Sequence, residues 1–226
     1  MIKKKSKIYI AGHNGMVGSA VLRKLKNLGY KKLFFKSKKE LDLRNQLYVK
    51  KFLQKIKPDA VIIAAATAGG IQANNSLKAN FIYNNLAIQN NLIYESYKCG
   101  VKNLIFLGSS SVYPKKSKQP IKEKYLLSNY LVHTHEPYAI AKIAGISLCK
   151  SYNYQYKLNY KCLMACNAYG INDNYDLNSS NFIPALIRKI VEAIKNKKEH
   201  ITIWGTGKPK REVIFCDDIA DACIFF

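Results

Sequence analysis

Apolar residues recur along this chain in two rhythms. Short unbroken runs alternate with segments whose apolar positions fall three or four apart. Ile8-Tyr-Ile-Ala11, Leu33-Phe-Phe35, Ala60 to Ala66 and Leu104-Ile-Phe-Leu107 are runs of the first kind. Between them, Met16 to Leu28 carries Val17, Val21, Leu25 and Leu28 on one stripe, and Val49, Phe52, Leu53 and Ile56 repeat at helical spacing. Phe81 to Tyr97 reads as a longer helix. Strands without polar alternation, separated by helices, predict a parallel sheet covered on both faces. Right-handed crossovers then give an α/β, doubly wound, Rossmann-like fold. The second half is less regular. It predicts a helix over Pro137–Tyr156, a strand over Tyr160–Ala165, a helix over Ile183–Lys195, a short strand over Ile201–Trp204 and a helix beginning at Asp217. No internal repeat or linker interrupts the chain.

Composition narrows the function classes. The 226 residues suffice for one large or two small domains. No apolar run approaches the roughly 18 residues of a membrane-spanning helix. Met1 to Lys5 leads straight into the first strand without a signal-peptide core, which reads as a cytosolic chain. The net charge of +23 suggests nucleic acid at first sight. However, only Arg23, Arg44, Arg188 and Arg211 are arginines, and the lysines are scattered over the whole length. A phosphate-binding footprint would cluster and favour Arg, so the excess reads as a solvated lysine-rich surface with no nucleic-acid partner. Cys99, Cys149, Cys162, Cys166, Cys216 and Cys223 form no Cys-x-x-Cys pair and have no nearby His, so zinc is not expected and buried free thiols are. His133 and His135 read as surface residues.

Two constellations carry chemistry. Gly12-His13-Asn14-Gly15-Met16-Val17-Gly18 lies where the first strand hands over to the first helix. Glycines at this spacing permit a tight turn and close backbone approach to a pyrophosphate, with the helix N-terminus facing the anion. After the second strand stand Lys36 and Lys38, where NAD sites place an acidic residue; lysines there suit a 2′-phosphate and favour NADP(H). Farther on, Tyr138 and Lys142 sit four apart on one helix face. There the ammonium is expected to ease ionisation of the phenol. Leu107, Gly108, Ser109, Ser110 and Ser111 close the fourth strand at the carboxyl edge of the sheet, where such folds bind ligands.

These residues resemble the extended short-chain dehydrogenase/reductase family, and within it the GDP-L-fucose synthase branch. The blocks Ile10 to Ala20, Ala64 to Ile71, Leu107 to Pro114, Glu136 to Gly145 and Ile203 to Gly207 carry the likeness. The resemblance implies NADPH-dependent reduction, with 3,5-epimerisation, of GDP-4-keto-6-deoxy-mannose. It implies that Ser109, Tyr138 and Lys142 carry the reduction, with Tyr138 as proton donor. It also implies that Leu107 to Ser110 and Ala165, Cys166, Asn167 and Ala168 border the cofactor, and that Lys189, Trp204 and Arg211 meet the GDP-sugar. For Trp204, packing in the core is the competing reading. A homodimer through Phe81–Tyr97 and Pro137–Tyr156 is implied as well. Residues 1–165 would form the cofactor lobe, and residues 166–226 an incomplete substrate lobe.

The departures matter as much. The acid and base of epimerisation in that branch are a Cys and a His, whose positions here are Ser111 and Asn181. Neither side chain titrates usefully, so reduction is expected to persist and epimerisation to be impaired. Asn14 replaces an Arg of the glycine loop, and Ala165-Cys166 replaces Pro-Thr. The branch also continues for about another third of a chain. The last helix is therefore expected to present Ile219, Ala222, Cys223 and Phe226 without a partner, and apolar surface to be exposed. The remaining readings are a 4-keto reductase without epimerisation, an inactive nucleotide-binding remnant and, weakest, a basic nucleic-acid binder.

Overall fold

A computed structural model describes residues 2–226. Its centre is a five-stranded, all-parallel sheet in the order β2-β1-β3-β4-β5. The strands are β1 (Ile8–Ala11), β2 (Leu33–Phe34), β3 (Ala60–Ile63), β4 (Asn103–Leu107) and β5 (Asn159–Leu163). Every residue of β1 and β3 is buried, which explains runs without polar alternation. Consecutive side chains nevertheless go to opposite faces. Tyr9, Ala11, Val61, Ile63, Leu104 and Phe106 enter one apolar layer, and Ile8, Ile10, Ile62, Ile105 and Leu107 the other.

The first layer is covered by α2 (Gln46–Ile56), α4 (Lys78–Lys98) and α5 (Glu136–Tyr156). Helix α2 starts where the Asn45 side chain accepts a hydrogen bond from the Tyr48 amide. Helices α4 and α5 pack on each other, joined by a hydrogen bond of 2.6 Å from Gln89 Nε2 to the Ala141 carbonyl. A short helix that periodicity did not announce, α3 (Ile71–Ser76), precedes α4 and buries Ala73 and Asn74.

The second layer is covered by α1 (Met16–Asn27) and α7 (Cys216–Phe225). The expectation that the last helix faces nothing is therefore corrected. Ile219 and Cys223 are buried against Ile8, Val21 and Leu25, while Ala222 is half-buried and Phe226 is exposed. A sheet twisted into two covered faces needs a second helix here, and the chain returns to supply it. Arg23–Asp217 and Lys24–Asp221 ion pairs flank the contact. Asp217 and Asp218 lie in the first turn of α7, where the helix dipole favours acidic groups.

Beyond β5 the chain forms a small parallel pair, β6 (Asn167–Tyr169) with β7 (Val213–Phe215), and α6 (Phe182–Lys195). The strand expected over Ile201–Trp204 does not form; these residues are irregular, and Ile203 and Trp204 are exposed. Gly205 and Gly207 at φ +84° and +72° turn the chain away, so the run has no strand to pair with. Exposed apolar surface remains at Phe225 and Phe226 and on α6, where Ile187, Ile190, Val191 and Ile194 share an open stripe. Among the described residues, no helix is long and apolar enough to cross a membrane. All six cysteines are free; Cys149, Cys216 and Cys223 are buried and Cys99, Cys162 and Cys166 half-buried.

Packing of α7 on α1 predicts an uneven response to truncation. Ile219→Ala should cost about 2–4 kcal/mol in urea unfolding, as for other buried aliphatic deletions. Phe226→Ala, at an exposed position, should stay within about 0.5 kcal/mol.

Candidate active site

The sequence order reverses between β1 and β3, which places a crevice at their carboxyl ends. The glycine loop fills one side of it. Gly12 has φ +88°, and a Cβ on it would lie 2.6 Å from the Ala65 amide nitrogen. A Cβ on Gly18 would strike the Gly12 carbonyl oxygen at 2.1 Å. The turn closes with Gly15 N–H donating to the Gly12 carbonyl at 3.0 Å. Gly15 then caps α1 without a side chain, and the first turn holds no acidic residue. The unpaired N–H groups and the positive dipole end thus stay open to an anion. His13 lies on the Phe35 ring with centroids 4.7 Å apart, joining the loop to the end of β2. Its buried Nδ1 has no protein partner, and burial lowers its pKa. Asn14 is exposed, whereas Met16 and Val17 pack into the second apolar layer. This cradle fits a dinucleotide pyrophosphate.

The cations after β2 are arranged differently from the sequence expectation. Lys36 pairs with Glu40, Nζ to Oε1 at 2.7 Å. The other carboxylate oxygen accepts from the Ser37 amide and hydroxyl at 2.9 and 2.8 Å. A carboxylate therefore does stand beside these lysines, folded back by a Ser-x-x-Glu turn. Lys38 is exposed and has no ion pair among the described residues.

The serine strand and the Tyr-Lys helix meet across the crevice. Beyond β4 the backbone stays hydrogen-bonded to the β5 side, Gly108 N–H to the Leu163 carbonyl at 2.8 Å and Ser110 N–H to the Ala165 carbonyl at 2.9 Å. Ser109 is held extended at φ −157°, and its hydroxyl pairs with that of Ser111 at 2.8 Å. Ser109 also faces the Tyr138 phenol and draws its pKa down, but burial dominates and pushes it up to about 12. Phe81 packs edge-on against the Tyr138 ring at 6.3 Å.

Lys142 is only 3% exposed. Its ammonium donates to the Leu107 carbonyl at 2.7 Å and lies 4.7 Å from the centroid of the Phe106 ring. Burial lowers its pKa to about 8. The expectation that Lys142 eases ionisation of Tyr138 is not met in this arrangement. The ammonium sits 5.8 Å from the phenol ring centroid and is engaged by Leu107, and burial raises the Tyr138 pKa.

The remaining residues lie in the second half of the chain and in the segment before α5. Asn181 caps α6 through its backbone alone, and its side chain stays exposed. The adjoining loop is locked to Gly70, whose N–H donates to the Ser179 carbonyl at 2.8 Å; a Cβ on Gly70 would strike Ser180. Lys189 donates to the Thr202 carbonyl at 2.9 Å and lies 5.2 Å over the Trp204 ring. At 70% exposure, Trp204 is a surface platform and not part of the core. Arg211 is exposed and lies close enough to His135 to lower that imidazole's pKa, although burial is the larger cause. His135 is half-buried, contrary to its surface reading, and His133 is exposed. Asn167 donates to the Glu212 carbonyl at 2.9 Å, tying Ala165–Ala168 to the strand that follows Arg211. Sequence reasoning missed Glu40 and His135. The Ser37-x-x-Glu40 spacing was a usable signal for the first; nothing local marked the second.

The chain is similar to known proteins over its whole length. The chain is 49% identical over 225 residues to GDP-L-fucose synthase 1 of Arabidopsis thaliana, covering all of this chain and 70% of that one. It is 46% identical over 220 residues to the GDP-L-fucose synthase of Escherichia coli, covering 97% and 68%. A GDP-mannoheptose C4 reductase from Campylobacter jejuni, solved with NADP bound, superposes with a TM-score of 0.90 at 39% identity, covering 100% and 75%. The glycine cradle, the serine strand end and the buried lysine sit within a match over residues 8–226, and the chain belongs to the NAD dependent epimerase/dehydratase family.

Proposed function

We propose that this chain reduces the 4-keto group of a GDP-linked 6-deoxy sugar with NADPH, in the manner of GDP-L-fucose synthesis. The observation that carries this reading is the meeting of Ser109, Tyr138 and Lys142 at the sheet edge, beside a glycine cradle shaped for a dinucleotide. Gly12 to Gly18 would hold the pyrophosphate and Lys142 the nicotinamide ribose. When bound there, NADPH would supply the hydride that reduction of the ketone carbon needs. Ser109 donates a hydrogen bond to the ketone oxygen and orients it. Tyr138 delivers its proton to that oxygen as the C=O double bond becomes an alcohol; burial keeps the phenol protonated beforehand. Lys189, Trp204 and Arg211 would meet the diphosphate and base, as cations and an aromatic face suit them. On this reading residues 1–165 serve the cofactor and residues 166–226 the nucleotide sugar. A homodimer is also part of the proposal, since Tyr83 and Tyr94 of α4 and Ile140 and Tyr154 of α5 leave apolar surface on the two long helices.

A second reading, reduction without epimerisation, is favoured by a specific feature. Ser111 is engaged with the Ser109 hydroxyl, and Asn181 offers only an amide. Proton abstraction beside a ketone needs a group that titrates within reach of neutral pH, and neither does.

Tyr138→Phe should lower NADPH oxidation with GDP-4-keto-6-deoxy-mannose by about 10²–10⁴-fold while leaving NADPH binding intact. In deuterium oxide, carbons 3 and 5 of the substrate should exchange slowly with the wild-type protein. The pair Ser111→Cys with Asn181→His should raise that exchange; rapid exchange by the wild type would remove the claim about these two positions.

Lys142 gives a pH signature. Its folded pKa of about 8 lies below its ordinary 10.5. Between those values the unfolded chain binds more protons than the folded one, so this group adds stability as pH rises. Denaturant unfolding from pH 8 to 10.5 should therefore show a gain in the wild type relative to Lys142→Met, with no difference in slope below pH 7.

A further inference from the structure

The turn after β2 holds one charge too many for a plain 2′-phosphate site. An NAD enzyme places a carboxylate at this strand end to bond the ribose 2′-hydroxyl, and an NADP enzyme replaces it with cations. This chain has both. Lys36 follows Phe35, whose ring His13 of the glycine loop covers. Glu40 bends back four residues later to bind Lys36 at 2.7 Å and the Ser37 amide and hydroxyl. The turn is closed further by Glu40 and Leu41 N–H groups donating to the Ser37 carbonyl at 3.0 and 2.9 Å. Glu40 is also close enough to His13 to act on its titration, which puts the carboxylate on the loop's side of the turn. With its acceptor atoms so well supplied, Glu40 is held ionised well below the usual carboxylate range.

We propose that Glu40 is a specificity-determining residue for the cofactor: by pairing with Lys36 it restrains selection of the 2′-phosphate, while Lys38 carries no ion pair among the described residues. A dianionic phosphate arriving here meets a lysine already neutralised and a carboxylate beside it. It must displace Glu40 from Lys36 or bind without that lysine. A 2′-hydroxyl meets no such penalty. The inference rests on the reading of the glycine loop as a dinucleotide site.

The test uses the full chain and two probes that differ only in the 2′-phosphate, adenosine 2′,5′-bisphosphate and adenosine 5′-monophosphate, titrated by calorimetry. Glu40→Gln keeps acceptor atoms for Ser37 and removes the charge. It should tighten the bisphosphate by about three- to fivefold, the scale of an exposed ion pair, and leave the monophosphate unchanged. The gain should fade at about 1 M salt, where the screening length falls to about 3 Å. Ser37→Ala loosens the same turn without altering charge and should shift both probes equally. Unchanged or weaker bisphosphate binding by Glu40→Gln, or equal gains for both probes, would overturn the proposal. Binding of neither probe to the wild type would overturn the dinucleotide reading and this inference with it.

Discussion

One buried ammonium organises the chemistry of this fold. Lys142 sits within the protein at 3% exposure, a position that a charge tolerates only when hydrogen-bonded. Its partner is the Leu107 carbonyl at the last residue of β4, which thereby stays open to it. That bond ties α5 to the end of the β4 strand. The approach is tight: a Cβ on Gly145, one turn along from Lys142, would lie 2.6 Å from Phe106 and 2.9 Å from Gln89. Small residues at Ala141 and Gly145 let α5 close on β4 and α4, and Tyr138 is then delivered to Ser109 at the strand end. Packing, burial and proton chemistry are consequences of the same contact.

The fold was legible because both rhythms of apolar residues are strong. β1, β3 and β4 are buried on both faces and could only read as strands of a covered parallel sheet. What escaped the reading depended on partners distant in sequence. The stripe Ile219, Cys223 belongs to α1, nearly 200 residues away, and no local pattern encodes that pairing. Ile201–Trp204 has strand composition but finds no neighbour, since β6 pairs with Val213–Phe215 instead. Trp204, which local pattern left undecided between packing and binding, stands at the surface over Lys189.

The site was legible in its members more than in its electrostatics. Gly12, Ser109, Tyr138 and Lys142 converge as their motifs predict. Charge relations did not follow from spacing alone. Four residues along a helix placed Lys142 near Tyr138, yet the ammonium turns to Leu107 and the phenol is governed by burial and Ser109. Lysines after β2 suggested an uncontested phosphate site, yet Glu40 folds back on Lys36. Ser111 shows the converse case: its position beside Ser109 was readable, and the two hydroxyls pair at 2.8 Å. On the proposed reading the site keeps the groups that reduction requires, and Ser111 and Asn181 leave epimerisation without a titrating pair.

The central claim, reduction of a nucleotide-linked ketone at this site, is tested most directly by following the hydride. The protein is supplied with GDP-4-keto-6-deoxy-mannose and NADPH deuterated at the transferable position of the nicotinamide, and the product sugar is examined by NMR. The account predicts one deuterium at carbon 4 and none at any other ring carbon. An unlabelled sugar, or NADPH left unconsumed, would contradict it.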